Sequence, residues 1–173
     1  MPHFLRALAT FLLGLGSCFA AHAQGTDGAL RKLRTVTTDV QFLVTPGVPY
    51  ALSASKLEAV LGERLRSAGL RVLSKAEDAN DKTSNPVVRL QIQVVGVSAA
   101  GGSQIVACAY RVDLMAHQLG RSPLNGASAP VELWRTGNVG FSGKDEFGRD
   151  VQQMVDTMIT EFVGRQQAAN TTK

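Results

Sequence analysis

The chain's 173 residues, 45 % of them hydrophobic, suit one domain with a core of its own. The formal charge of +4 is spread along the chain without a basic block, which argues against a nucleic-acid partner, since such proteins gather Lys and Arg on one face. No stretch approaches the roughly 20 apolar residues that a membrane span needs.

The first 23 residues carry the three parts of a cleavable secretory signal: the cation Arg6, the apolar run Ala7 to Leu15, and the small-x-small site Ala21-His22-Ala23 before Gln24. Leu15-Gly16-Ser17-Cys18 offers a second outcome, because it resembles a bacterial lipobox in which Cys18 is lipidated and becomes the first mature residue. Bulky Phe19 after that cysteine and the cleaner site at Ala23 favour simple release. Release after Ala23 predicts a periplasmic or secreted protein, and the alternative is a lipoprotein anchored to the membrane at Cys18. Cleavage after Ala23 leaves 150 residues, read as a flexible leader 24–34, a single domain 35–165 and a disordered tail 166–173. Cys108 is then the single cysteine, so no intrachain disulfide is available and stability must come from the core.

Within the domain, Val36, Val40, Phe42 and Val44 alternate as in a half-buried strand, which Pro46-Gly47 and Pro49 end. Ser55-Lys56-Leu57-Glu58 fits a capping box, followed by Leu57, Val60, Leu61, Leu65 and Ala68 at helical spacing, with Gly69 where a left-handed cap is wanted. Leu70 to Leu73 resumes as a strand, and a right-handed crossover makes it parallel to the first. Residues 74–86 hold no large apolar side chain and read as a surface loop. Val87 to Ser98 and Gln104 to Gln118 alternate cleanly about the turn at 99–103 and predict a hairpin. Val131 to Ser142 adds a strand whose Gly137 and Gly140 suggest a bulge. A last helix is expected from Lys144 or Asp145 to about Arg165, with Phe147, Val151, Met154, Val155, Met158 and Phe162 in one stripe and Asp145 and Glu146 opposing the helix dipole. The order β-α-β-β-β-β-α predicts an α+β two-layer sandwich: a mostly antiparallel five-strand sheet with two helices on one face.

Chemistry-bearing residues are few. Cys108 shares the side of Tyr110 and Val112, whereas His117, the one histidine left after processing, falls on the other side; a buried structural cysteine is expected, not a nucleophile. Arg111, Asp113 and His117 form a polar row that a solvated sheet face explains as well as acid-base work does. One His and one Cys on opposite faces cannot supply a zinc site, and no calcium loop is present, so no metal or cofactor is expected. Gly137 to Lys144 resembles a phosphate-binding loop in position but lacks its spacing, with Asn138 where glycine is needed and Asp145 after the lysine. Asn170-Thr171-Thr172 matches a glycosylation sequon by chance. Trp134 falls out of phase with Val131 and Leu133, which places it on the face away from the helices, as cover for a small cluster or as a binding anchor.

The segment Leu133-Trp134-Arg135-Thr136-Gly137-Asn138-Val139-Gly140 before an amphipathic helix that carries Phe162 near its end resembles a group of uncharacterised exported bacterial proteins. The whole pattern looks like the small α/β modules of envelope lipoproteins and the amino-terminal domain of the translocation protein TolB. That resemblance implies a module that binds other envelope proteins and is not an enzyme. The sequence therefore points to a non-catalytic exported protein of the cell envelope, a protein-protein interaction or assembly module, with Trp134, Arg111 and His117 as its candidate surface. A carrier of a small ligand or lipid is the alternative, and a hydrolase-type enzyme the third.

Overall fold

The computed structural model describes residues 27–171 apart from 32, 49–51, 82–83, 101 and 122–124. The signal segment, its cleavage site and Cys18 lie outside the described residues. A 3-10 turn, Asp27–Leu30, leads into β1 (Thr35–Val44), α1 (Ala54–Ser67), β2 (Arg71–Leu73), α2 (Lys75–Asn80), β3 (Val87–Ser98), β4 (Ile105–Arg121), β5 (Ser128–Gly143) and α3 (Phe147–Thr171). The sheet order is β2-β1-β3-β4-β5. β1 runs parallel to β2 and to β3, and the two long pairs β3–β4 and β4–β5 are antiparallel. This is the expected α+β sandwich with one short helix added.

Two periodicities build the core. Leu57, Leu61 and Leu65 recur every fourth residue along α1, and Phe147, Val151, Val155, Met158 and Phe162 do nearly so along α3. Val88, Leu90, Ile92 and Val94 of β3 and Cys108, Tyr110, Val112, Leu114 and Ala116 of β4 recur every second residue and meet both stripes in one cluster. Edge-to-face aromatic pairs lock α3 to the sheet at two levels. Tyr110 meets Phe147 at 5.4 Å and Trp134 meets Phe162 at 5.1 Å between ring centres.

The helix ends follow local chemistry. Gly69, at φ +86°, closes α1 in a Schellman motif, with Gly69 N–H donating to Arg66 O and Leu70 N–H to Leu65 O. The start of α1 differs from the expected capping box. Ser53, two residues earlier, accepts from Lys56 N–H, and Ser55 hydrogen-bonds Ser53 Oγ instead of capping. The box occurs in the segment read as a loop: Ser74 Oγ accepts from Glu77 N–H at 3.2 Å and Glu77 Oε2 accepts from Ser74 N–H at 2.8 Å. That backbone bond also holds the Glu77 carboxyl below its ordinary range. A box of this kind makes a helix of six residues even without an apolar stripe.

Both expected flexible ends are corrected where they are described. Leu30 and Leu33 are buried in the core, so the chain is packed from the 3-10 turn onward. α3 continues past Arg165 to Thr171, because Gln166, 4 % exposed, donates to Leu33 O and Asn170 donates to Leu30 O. The chain entering the domain thus hydrogen-bonds the helix that ends it.

Trp134, on β5 opposite Ala116 of β4, is 1 % exposed and packs on Phe162 of α3. Trp134→Ala is expected to cost about 3–5 kcal/mol in urea unfolding, whereas Val131→Ala, at an exposed position three residues earlier, is expected to stay within about 0.5 kcal/mol.

Candidate functional site

With α1 and α3 on one side of the sheet, the strand alternation sends the remaining side chains to a face without long helices. Strand register sets them in rows across β1, β3, β4 and β5: Asp39-Arg89-Met115-Arg135, then Gln41-Gln91-Asp113-Gly137, then Leu43-Gln93-Arg111-Val139, and finally Val95-Ala109-Phe141 without β1. The first rows are charged and the last are apolar.

Asp113 is the centre of the charged part. Although it stands on the open face, it is only 1 % exposed. Arg111 covers it from its own strand, with Nε to Oδ2 at 2.7 Å and Nη2 to Oδ1 at 3.0 Å. Arg135 covers it from β5, with Nη2 and Nε to Oδ1 at 2.9 and 3.2 Å. Each guanidinium presents two donors, the geometry that makes such pairs directional. Gly137, directly opposite, makes room: a Cβ there would run into Asp113 Oδ1. The Asp113 contact also raises the Arg111 guanidinium further above its ordinary range. In the next row Asp39 accepts from Arg89 Nε at 2.8 Å.

The apolar part is formed by Leu43, Val95, Val139 and Phe141, which are 52 %, 56 %, 64 % and 66 % exposed. They are four of the seven large hydrophobic side chains exposed among the described residues, gathered in two adjacent rows. Monomeric proteins rarely gather such residues in one place without a use for them.

Of the residues singled out from the sequence, Arg111 and His117 do share this face. They are six residues apart on β4, about 20 Å. Trp134 does not join them, which corrects the expectation for it. The β4–β5 register passes from Ala116 opposite Trp134 to His117 opposite Glu132, so Leu133 is an extra residue in a bulge. The bulge reverses the parity of the strand and turns Trp134 into the core. It lies at Leu133 and not at the glycines. Asp113 is likewise not a solvated row member but a buried carboxylate.

His117 is half-buried at the charged end. Burial pushes its pKa below the ordinary histidine value, and Arg89 on β3 pushes the same way, against the opposite pull of Asp39 on β1 and Glu132 on β5. Cys108, fully buried on the helix face, has its thiol pushed up by burial, which keeps it protonated and unreactive. No group of three or more His, Cys, Asp or Glu side chains suited to a metal is present among the described residues. No described helix is long and apolar enough to cross a membrane. A cleft of about 640 Å³ lies between α1, β1 and the start of α2, and carries Glu58, Arg66, Lys75, Asp78, Asp39 and Arg89. It mixes both signs of charge and is open to solvent.

No family model and no curated protein matches the chain. Among solved structures it is similar to the PelC dodecamer from Paraburkholderia phytofirmans, at 17 % identity over 85 % of this chain and 97 % of that one, with a TM-score of 0.41. It is also similar to the lipoprotein GNA1162 from Neisseria meningitidis, at 16 % identity over 75 % and 98 % of the two chains and a TM-score of 0.33. A minor lipoprotein from Acinetobacter baumannii matches at 11 % identity over 80 % and 87 %, with a TM-score of 0.31.

Removing the carboxylate at Asp113 leaves two guanidiniums without their partner, and Asp113→Ala is expected to lower stability by about 1–3 kcal/mol in urea unfolding. His117 gives a separate pH signature. Its folded pKa is depressed, so below the unfolded value of about 6.5 the unfolded chain binds the proton more readily and stability falls as pH falls. Thermal melts between pH 7.5 and 5 are expected to show that loss, and His117→Gln is expected to reduce it.

Proposed function

We propose that this is an exported, non-catalytic domain that works by holding another protein on the open face of its sheet. The observation that carries this reading is that the exposed apolar side chains Leu43, Val95, Val139 and Phe141 share two adjacent rows of one face with half-exposed Arg111. Arg111 has two of its N–H donors bonded to Asp113, which orients a guanidinium that stays half-exposed. The partner that fits is a protein surface with an apolar centre and a carboxylate beside it. Apolar area supplies affinity, and a pre-oriented Arg supplies a directional anchor of the kind found at interface hot spots.

The reactive groups support binding over catalysis. Asp113 accepts from two arginines through both oxygens, so it would have to break these bonds to act as a base. Cys108 is buried on the other face, and His117, whose charged neighbours are Arg89, Asp39 and Glu132, lies about 20 Å along the strand from Arg111. The core is filled by Leu, Val, Ile, Met and aromatic side chains, which favours a protein partner over a carried ligand. Export is supported by Arg6, the apolar run Ala7 to Leu15 and the Ala21-His22-Ala23 site.

The test is to isolate the protein with its partner from the export compartment of its own cells and then measure their affinity with purified components. Val95→Asp and Arg111→Glu are each expected to weaken binding at least tenfold, while a control on the helix side, Gln153→Ala, leaves it unchanged. A partner that binds all three alike refutes the assignment of the face. A small molecule that co-purifies in stoichiometric amount would support the carrier reading instead.

A further inference from the structure

β5 is the last strand of the sheet, and no strand pairs with its outer edge among the described residues. A long exposed edge is a template for another strand, and proteins usually blunt it with charge, proline or a short strand. β5 runs for 16 residues, and its second half, Arg135 to Gly143, contains no proline and one charged side chain. A groove of about 380 Å³ between Gly137-Asn138 and α3 keeps the helix clear of this edge. The N–H of Val139 is bonded at 2.9 Å to the side chain of its own neighbour Asn138.

We infer that this edge pairs with the same edge of a second copy of the chain, antiparallel about a two-fold axis at Val139. The residues of the edge match themselves in that register. Opposite positions then sum to the same number, so Val139 meets Val139, Phe141 meets Gly137, and Arg135 meets Gly143. Phe141 and Val139 are the two most exposed large hydrophobic side chains of the described residues. The register sets Phe141 beside the residue that has no side chain and pairs the two valines at the axis, the kind of cross-strand contact that stabilises sheets.

Charge agrees with the same register. Arg135 commits Nε and Nη2 to Asp113, while its Nη1 is 3.9 Å from Glu132, the limit of an ion pair. Glu146 is exposed, and its carboxylate lies 2.5 Å from where a Cβ of Gly143 would stand. A second copy paired about Val139 brings that carboxylate over Gly143 to the side where Arg135 arrives. Because the two-fold axis stands perpendicular to the sheet, the open faces of both copies end on the same side. The inference goes beyond the partner reading, since it concerns the strand edge, and it would double the width of the face on which a partner docks.

Nine paired residues make a contact about 30 Å long, at the small end of specific interfaces, so self-association in the micromolar range is expected. Sedimentation velocity on the mature chain between 1 and 200 µM is expected to show a monomer–dimer equilibrium. Val139→Glu and Val139→Lys each place like charges together at the axis and are expected to weaken the dimer at least tenfold. An equimolar mixture of the two variants is expected to dimerise again, which a merely misfolded variant could not do. Val139→Cys treated with oxidised glutathione, which takes up the two electrons, is expected to give a dimer linked through residue 139, since Cys108 is buried and does not compete. A wild-type chain that stays monomeric at 200 µM, or a mixture that stays monomeric while both variants remain folded, overturns the proposal. Val95→Asp, which tests partner binding, is expected to leave the dimer unchanged, so the two readings fail separately.

Discussion

A carboxylate buried on the side of a sheet that carries neither of the two long helices is the constraint around which the rest of the open face is arranged. Asp113 is nearly inaccessible although no long helix covers it, and three neighbours make that possible. Arg111 and Arg135 neutralise it and form its lid, and Gly137 provides the space for its oxygens. A buried charge without partners would be strongly destabilising, so the arginines are held wherever Asp113 is held. The outcome is a surface with its cations fixed in place. On a flexible surface, long Arg side chains would lose rotamer freedom on meeting a partner; here much of that ordering has occurred in folding.

The two sides of the sheet divide the chemistry of the chain between them. Against α1 and α3 lie ordinary apolar side chains, the one described cysteine, and Gln166, whose amide is bonded to Leu33. The opposite side holds four of the six ion pairs given by the described residues, including both that bury Asp113, together with exposed apolar side chains. Charged residues that bind one another are poor acids and bases, but they make good markers of position. A face of this composition suits recognition, with apolar rows for affinity and an anchored guanidinium for orientation.

Much of this was legible in the sequence because it depends on period. Alternation in β3 and β4 and the stripe of α3 yield the two-layer sandwich without reference to long-range contacts. The parity of β4 separates Cys108 from His117 correctly for the same reason. What escaped depends on register and on side chains remote in sequence. The bulge at Leu133 reverses parity within one strand, so Trp134 looks exposed by counting and is buried in fact. The lid on Asp113 needs Arg135 from 22 residues away, and nothing in the local pattern announces it. The extension of α3 to Thr171 rests on Leu30 and Leu33, more than 130 residues earlier. The capping box at Ser74 and Glu77 escaped as well, because the absence of apolar residues around it made the segment resemble a loop.

On the proposed reading the open face, and not the helix side, meets the partner. Photo-crosslinking from single positions in living cells separates the two sides. A photoreactive residue at Val95 is expected to give one discrete protein adduct in the export compartment, which Arg111→Glu abolishes, and the same probe at Glu63, exposed on α1, is expected to give none. An adduct of equal yield from Glu63, or a Val95 adduct that ignores the charge at residue 111, would contradict the proposed surface.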